Sequence, residues 1–166
     1  EKWSKFHKEV SQFAWTDGLW YLDENGDMVG SCYDTGFNST GNYYWKDVDT
    51  EITMVPSMGT QQYFAFRVQG AVCYYATGFE ENNTFVLRKV FGHQSEILAS
   101  VPLAWEYGKS YRIKVSAQEN NFQIFVDNTE MIQCKDEHSP YLFGCIGMSV
   151  KNTSKCIYRD LKVTTK

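Results

Sequence analysis

The sequence lacks a long apolar run, a basic cluster and any low-complexity tract, and each absence narrows the possible functions. No apolar stretch in the 166 residues approaches the roughly 18 that a membrane-spanning helix needs, so we expect no membrane insertion. The 16 lysines and arginines are scattered and the formal net charge is −4. Nucleic acid is therefore not an expected partner, because binding it requires a concentrated basic surface.

The chain also has only three prolines, and no repeat or linker divides it. Hydrophobic residues make up 43%, a value typical of one globular domain of this size. The sequence begins Glu1-Lys2-Trp3, without a methionine or a signal-like apolar segment. We therefore expect a single domain over residues 1–166, monomeric and excised from a larger multidomain protein.

Motifs for metal, nucleotide or nucleophilic chemistry are missing as well. The five cysteines include no Cys-x-x-Cys spacing, which argues against zinc, and their odd number argues against a disulfide framework. The three histidines have no metal-ligand spacing, and Gly-x-Ser-x-Gly, P-loop and dinucleotide fingerprints are absent. The sequence therefore predicts no cofactor.

Aromatic residues, in contrast, are abundant at 16%, and alternation of polar and apolar residues recurs along the chain. Both features favour β-sheet, since helical periodicity is almost absent. The pattern predicts strands at 19–22, 27–31, 46–55, 63–68, 71–79, 84–91, 96–101, 110–135, 145–150 and 156–163, where 110–135 forms a three-stranded meander. Many short strands at regular spacing predict an all-β fold, a two-sheet antiparallel β-sandwich, with a barrel as the alternative.

Several of these strands carry motifs that resemble a known family. They are the tract 105–115 (WEYGKSYRIKV), the segment 122–127 (FQIFVD), the run 144–148 (GCIGM), the ending 158–163 (YRDLKV), and upstream the segments 63–68 and 73–75. Together they resemble concanavalin A-like jelly-roll domains, in particular the family-66 carbohydrate-binding modules that bind fructans. One departure is Asn128, where these domains often have glycine after the aspartate of a turn. Asparagine tolerates the left-handed geometry of such a turn.

The resemblance implies a non-catalytic carbohydrate-binding module. Such a module recognises terminal sugars of a fructan-like glycan such as levan and targets an appended glycoside hydrolase domain. It also implies an extracellular or cell-surface location. The motifs specify turns and core positions, so they carry over the jelly roll more directly than any ligand.

Three carboxylates alternate along one predicted strand, at Asp47, Asp49 and Glu51. Jelly-roll glucanases place their nucleophile and acid on such a strand, and retaining hydrolysis needs two carboxyl groups about 5–5.5 Å apart. A glycoside hydrolase is therefore the alternative function. The other interpretations are binding of a ligand through Asp49 and Glu51, or a solvated or salt-bridged strand face.

Alternation places Arg67 on the polar side of its strand, as it does Glu51. A guanidinium can donate to adjacent sugar hydroxyls while a carboxylate accepts from them, so both are candidate ligand-binding residues. The alternative is an Arg67–Glu51 ion pair with no ligand. Three further candidates are Tyr75 and Trp45, whose rings could pack on a sugar face, and Asn152, in the turn before the last strand.

Asp136 and Glu137 could contribute to a structural calcium site, as in several relatives of this fold. Acidic loop residues are more often simply solvated. A third class of function also stays open, a structural or protein-interaction sandwich without a sugar site, because a shared fold does not imply a shared function.

Overall fold

The computed structural model describes residues 13–166, so residues 1–12 of the predicted domain lie outside the described residues. Residues 13–166 contain strands and turns, and no helix that could span a membrane occurs among them. The fourteen strands of this part are β1 Phe13–Asp17, β2 Leu19–Leu22, β3 Met28–Ser31, β4 Thr35–Thr40, β5 Val48–Met58, β6 Gln61–Gly70, β7 Cys73–Glu80, β8 Thr84–Phe91, β9 Gln94–Pro102, β10 Tyr111–Gln118, β11 Asn121–Val126, β12 Thr129–Lys135, β13 Cys145–Lys151 and β14 Lys155–Thr165.

The strands form two seven-stranded antiparallel sheets. Sheet I has the order β1-β4-β13-β6-β7-β8-β9, and sheet II has the order β12-β11-β10-β5-β14-β3-β2. The predicted all-β antiparallel sandwich is therefore confirmed, and the barrel alternative is wrong. Strands β1 and β4 were not predicted, and they add an edge pair beside β13 on sheet I.

Alternation along β5 shows why these residues build a sandwich. Val48, Thr50, Ile52 and Met54 are buried, whereas the residues between them are only partly covered. One face of the strand thus enters the space between the sheets and the other faces outward. The same alternation in β10 and β11 gives the predicted hairpins.

The turn between β11 and β12 contains Asn128, the one departure from the family motif. Asp127 and Asn128 have φ angles of 49° and 65°, both in the left-handed region. Asparagine tolerates this conformation, so the tight turn forms without the glycine. The expected meander of β10, β11 and β12 is present with this turn intact.

The sandwich has two apolar clusters on different faces. The larger cluster fills the space between the sheets and includes Phe64, Phe79, Ile113 and Tyr158. The smaller one lies on the outer face of sheet I and contains Phe37, Tyr63, Ala65, Val68, Tyr74, Ala76, Val86 and Val90. Sheet I is therefore covered by apolar side chains on both faces, so its outer face is a candidate surface for binding a ligand.

Candidate functional site

The outer face of sheet I carries a groove. It consists of two adjoining cavities of about 370 and 130 Å³, which share wall residues Tyr74, Val90, Ser95, Ser149 and Lys151. The turns after β6 and β8 border the larger cavity through Ala71, Val72, Gly92 and His93. We refer to these two cavities together as the sheet I groove.

Alternation in β7 explains why this face is hollow. Tyr75 and Phe79 point into the sandwich core, so Tyr74, Ala76 and Glu80 point outward. The small side chain of Ala76 leaves space in the middle of the face, and the larger groups rise on either side of it. The groove thus lies over two short residues, Ala76 and Gly78, between the long side chains of Tyr74 and Glu80 on the same face of β7.

An aromatic pair lines the larger cavity. The rings of Phe37 and Tyr74 are stacked, with centroids 4.8 Å apart and an interplanar angle of 26°. The hydroxyl oxygen of Tyr74 lies 3.5 Å from Oγ of Ser149. Burial raises the pKa of the Tyr74 phenol, so the group stays protonated and can donate a hydrogen bond. Both rings are buried, with Phe37 5% and Tyr74 2% exposed, so the pair forms the apolar floor of the cavity beside two hydroxyl groups.

A charged group lies at the other part of the groove. Arg88 donates to both carboxylate oxygens of Glu80, with Nη2 2.8 Å from Oε1 and Nε bonded to Oε2. The hydroxyl of Tyr63 donates to the same Oε2 at 2.6 Å. The third nitrogen of Arg88, Nη1, lies 3.2 Å from Oγ of Ser95. This arrangement fixes the guanidinium of Arg88 at the cavity wall, with the carboxylate of Glu80 behind it in a two-point pair.

Burial shapes the electrostatics of this group. The side chains of Arg88 and Glu80 are 24% and 11% exposed, so both charges are largely removed from water. The hydrogen bond to Glu80 raises the pKa of Arg88. Burial, followed by the hydrogen bond to Glu80, raises the pKa of the Tyr63 phenol. Tyr63 therefore remains a donor and Arg88 a cation at any physiological pH.

Arg67 lies elsewhere, and the reason is a break in the alternation of β6. The register of β6 shifts between Phe66 and Gly70, and Arg67 has a left-handed φ of 49°. As a result, Phe66 and Arg67 both turn towards Phe122 in the core. The prediction that Arg67 follows the polar side of its strand is therefore wrong, and the side chain is 1% exposed.

The partners of Arg67 also differ from the predicted ion pair. Nη1 donates to the carbonyl oxygens of Glu119 and Tyr141 at 2.9 and 2.7 Å, and Nη2 lies 3.3 Å from Oδ1 of Asp47. Burial lowers the pKa of the guanidinium, and Asp47 counteracts that shift. The alternative Arg67–Glu51 pair is wrong, because Glu51 binds other residues. Arg67 joins two loops and the start of β5 at one end of the sandwich.

Tyr75 is fully buried beside this end of the core. Its hydroxyl donates to Oδ2 of Asp136 at 2.6 Å and accepts from the backbone N–H of Tyr141 at 3.0 Å. Asp136 in turn pairs with Nζ of Lys89 at 2.7 Å. In the structure Tyr75 thus has the role of a core residue that holds the loop after β12, and its ring is not presented at the surface.

Asp47, Asp49 and Glu51 each have a basic partner. Asp47 pairs with Arg67 as described, Asp49 lies 3.2 Å from Lys166, and Glu51 lies 3.0 Å from Arg112. Glu51 and Asp49 lie on the outer face of sheet II, on the opposite side of the sandwich from the groove. The structure therefore does not bring these carboxylates together with Glu80.

The last two candidates lie in loops. Trp45 is half-buried and packs against the core, and its ring covers Gly41 so closely that a Cβ there would come within 2.3 Å of it. Asn152 is exposed in the β13–β14 turn with a left-handed φ of 53°, and its backbone N–H donates to the carbonyl of Asp34 at 2.7 Å. Of the predicted residues, Asn152 lies nearest the groove, next to Lys151.

The surroundings of Asp136 and Glu137 do not fit a calcium ion. Asp136 already accepts hydrogen bonds from Lys89, Tyr75 and the backbone of His138, and the ammonium of Lys89 would repel a cation. Glu137 pairs with Lys135 at 3.2 Å. No group of three or more potential metal-ligating side chains occurs among the residues that the structure describes.

The sequence analysis missed the groove residues Phe37, Tyr63, Glu80, Arg88, Ser149 and Lys151. A signal for them was present: alternation in β7 sets Tyr74, Ala76 and Glu80 on one face, and alternation in β8 sets Arg88 on the same side. Attention to a small residue flanked by long ones on that face would have pointed to a groove. Phe37 had no such signal, because β4 was not predicted.

Comparison with solved structures places this fold among known sandwiches. The carbohydrate binding module CBM66 from Bacillus subtilis superposes with a TM-score of 0.85 at 17% identity, over 96% of this chain and 99% of that one. The exoplasmic/lumenal domain of VIP36, in a Ca²⁺/Man3GlcNAc-bound form, gives 0.73 at 10% identity, over 98% and 89%. Bacillus licheniformis beta-glucanase gives 0.71 at 15% identity, over 99% and 98%.

Comparisons of sequence alone give no relative. No protein-family model matches the chain, and the search of curated proteins returns no match. The structural likeness therefore defines the class, a jelly-roll sandwich of the concanavalin A-like type. At the level of the fold, it confirms the resemblance to the family-66 modules that the sequence motifs indicated.

Proposed function

We propose that this protein is a non-catalytic carbohydrate-binding module and that its ligand occupies the sheet I groove. The observation that carries the proposal is the fixed Arg88–Glu80 pair beside the stacked Phe37–Tyr74 rings. The third guanidinium nitrogen of Arg88 is directed towards Ser95 on the groove wall, where it is available to a ligand as well.

This combination matches the chemistry of a sugar. A sugar ring has an apolar C–H face and a rim of hydroxyl groups that both donate and accept hydrogen bonds. Aromatic surface suits the face, while guanidinium, carboxylate and hydroxyl groups suit the rim. Because Glu80 and Arg88 already hold each other in place, little side-chain entropy is lost when a ligand binds.

The structural neighbours support the same class of function. One is a carbohydrate binding module and another was solved with a bound oligosaccharide, although likeness of this degree concerns the fold. We further propose that the ligand is a terminal sugar of a fructan-like glycan, that the module targets an appended glycoside hydrolase, and that it acts as a monomer outside the cell or at its surface. These finer points rest on the resemblance to the family-66 modules.

The enzyme alternative has less support from the geometry. A beta-glucanase shares the fold, but here each carboxylate of the Asp47, Asp49 and Glu51 strand has a basic partner. The basic partners occupy these carboxylates, so none of the three can approach a sugar without first breaking an ion pair. The predicted binding roles of Glu51 and Asp49 stay predictions, and the experiment below tests Glu51 through its partner.

Calorimetric titration against a panel of fructans, glucans and mannans tests the proposal, with one matched pair of variants. Arg88 and Arg112 both pair with a glutamate and both are partly exposed, but only Arg88 lines the groove. We expect Arg88→Met to weaken binding at least about tenfold, since each charge-assisted hydrogen bond contributes about 1.5–3 kcal/mol. Arg112→Met should leave binding unchanged.

The other outcomes favour the rival functions. Loss of binding in Arg112→Met alone would move the site to sheet II and to Glu51. Release of reducing sugar by the wild-type protein would support the glycosidase, and binding to no glycan would favour a structural or protein-interaction role. Melting temperatures of both variants show whether a loss of binding reflects a loss of fold.

A further inference from the structure

Lys151, the last residue of β13, is the one lysine among the described residues that line the groove. It lines both cavities, next to Ser149, which lies two positions earlier on the same face of the strand. Its side chain is half-buried. Within the part of the chain that the structure describes, its ammonium has no hydrogen bond or ion pair.

The nearby carboxylates are already engaged. Glu80 is held by Arg88 and Tyr63, as described above. Asp17, at the edge of the larger cavity, accepts hydrogen bonds from the hydroxyl of Thr35 and from the backbone of Gly18. Asp34 and Glu80 act on Lys151 only through longer-range attraction, and burial, reinforced by Arg88, lowers the pKa of the ammonium.

The ammonium of Lys151 is not among the buried polar atoms that lack a partner, so it opens to the groove, where an acidic group of a ligand can replace water. The chain has a formal net charge of −4, so it does not attract anions through its overall charge. Any attraction of an anion to the groove must therefore come from a local cation such as Lys151. The other wall groups near Lys151 include the hydroxyls of Ser149, Ser95 and Tyr74 and the guanidinium of Arg88, whose charge is paired with Glu80. Lys151 therefore carries the one unpaired positive charge among the described residues of the groove wall.

We propose that Lys151 forms an anion subsite in the groove, so that an acidic derivative of the proposed glycan, with a carboxylate or sulfate on the bound sugar, binds more tightly than the neutral glycan. This inference rests on the proposed function, because it specifies the ligand of the same groove. The Arg88–Glu80 pair and the Phe37–Tyr74 pair then contact the sugar ring, and Lys151 binds the acidic group of that sugar.

Matched glycan pairs test the subsite directly. One pair is a hexuronate oligosaccharide and its carboxyl-reduced counterpart, and the other is a sulfated oligosaccharide and its desulfated counterpart. The wild-type protein should bind the acidic member of at least one pair about tenfold or more tightly, a preference weakened by salt. The pair that shows the preference distinguishes a carboxylate from a sulfate.

Three variants assign the preference to Lys151. Lys151→Gln should lose it, whereas Lys151→Arg should retain it because the positive charge is kept. Lys162→Gln removes an exposed lysine from β14 in sheet II and should have no effect. Melting temperatures of the three variants serve as the control for folding.

Two results would overturn the inference. Equal binding of acidic and neutral members, or a preference that survives in Lys151→Gln, would refute the anion subsite while the carbohydrate-binding proposal stands. Binding to none of the acidic or neutral glycans would overturn both.

Discussion

Arg88 and Glu80 form a two-point ion pair across the outer face of sheet I, with Nη2 2.8 Å from Oε1 and Nε bonded to Oε2. Tyr63 holds the same carboxylate from the neighbouring strand β6, at 2.6 Å. Strands β6, β7 and β8 thus converge on one carboxylate. This convergence gives the groove a rigid polar wall.

Replacement of Arg88 by lysine tests whether the two-point geometry matters beyond the charge. An ammonium keeps the positive charge but cannot reproduce the planar fork, so it cannot hold Glu80 at both oxygens. We expect Arg88→Lys to lower affinity for the glycan about tenfold by titration, with Arg112→Lys as the control. Full affinity in Arg88→Lys would show that charge alone is sufficient.

Arg67 is expected to act on stability. Its buried guanidinium bonds two carbonyl groups and Asp47, so Arg67→Ala removes the guanidinium donor from both carbonyls and the cation beside Asp47, which keeps its bond from the backbone N–H of Glu119. We expect a loss of about 3 kcal/mol in the free energy of unfolding, measured by urea denaturation. Arg159→Ala, which removes a more exposed partner of Asp27, should cost about 1 kcal/mol or less. Equal small losses in both variants would contradict the structural role.

The fold and the candidate site could be predicted from the sequence to different extents. Strands such as β10 and β11 follow directly from alternation, because one face is buried and the other is not. Arg67 shows where this fails: a bulge in β6 reverses the alternation, and only the register of the neighbouring strands reveals the bulge. Alternation in the sequence predicts which residues share a face of a strand. It does not predict which residues of other strands contact them.

The groove could not be predicted from the sequence either, because it depends on contacts between different strands. Glu80 and Arg88 are eight positions apart on adjacent strands, and their pairing depends on the register of β7 against β8. Phe37 and Tyr74 come from strands β4 and β7, which are separated in the sheet by β13 and β6. No local pattern in the sequence indicates such contacts. The charged strand at Asp47 to Glu51, in contrast, is prominent in sequence but its charges are neutralised by partners in the fold.

Asp136 should make stability depend on pH in the acidic range. Burial alone would raise the pKa of this carboxyl, but hydrogen bonds from Lys89, Tyr75 and His138 outweigh burial and lower it. A carboxyl group whose pKa is lower in the folded state stabilises the fold above its unfolded pKa, about 3.9, and loses that effect as pH falls through the folded value. Asp136→Asn should therefore melt below the wild type near pH 6.

The gap between the two proteins should narrow below about pH 4, where Asp136 of the wild type takes up its proton. Glu137→Gln provides the matched control, because Glu137 is exposed and pairs only with Lys135. Its melting temperature should follow that of the wild type throughout. A gap for Asp136→Asn that stays constant from pH 6 to pH 2.5 would contradict the role assigned to the carboxylate.

The cysteines give a prediction on redox conditions. All five are free thiols in the structure, at Cys32, Cys73, Cys134, Cys145 and Cys156. Burial raises the pKa of Cys32, Cys134, Cys145 and Cys156, which leaves little thiolate on these four at neutral pH. Addition of a reductant should therefore leave the melting temperature unchanged. A clear decrease would reveal a disulfide that stabilises the fold.

The central claim, that sheet I and not sheet II binds the sugar, is tested most directly by a two-dimensional NMR titration of the ¹⁵N-labelled protein with a glycan from the panel. The account predicts chemical-shift changes confined to backbone amides around the groove, foremost those of Phe37, Tyr74, Arg88 and Ser149. The amides of Asp49, Glu51 and Arg112 on sheet II should not move. Shift changes centred on sheet II, with the groove amides unmoved, would contradict the account.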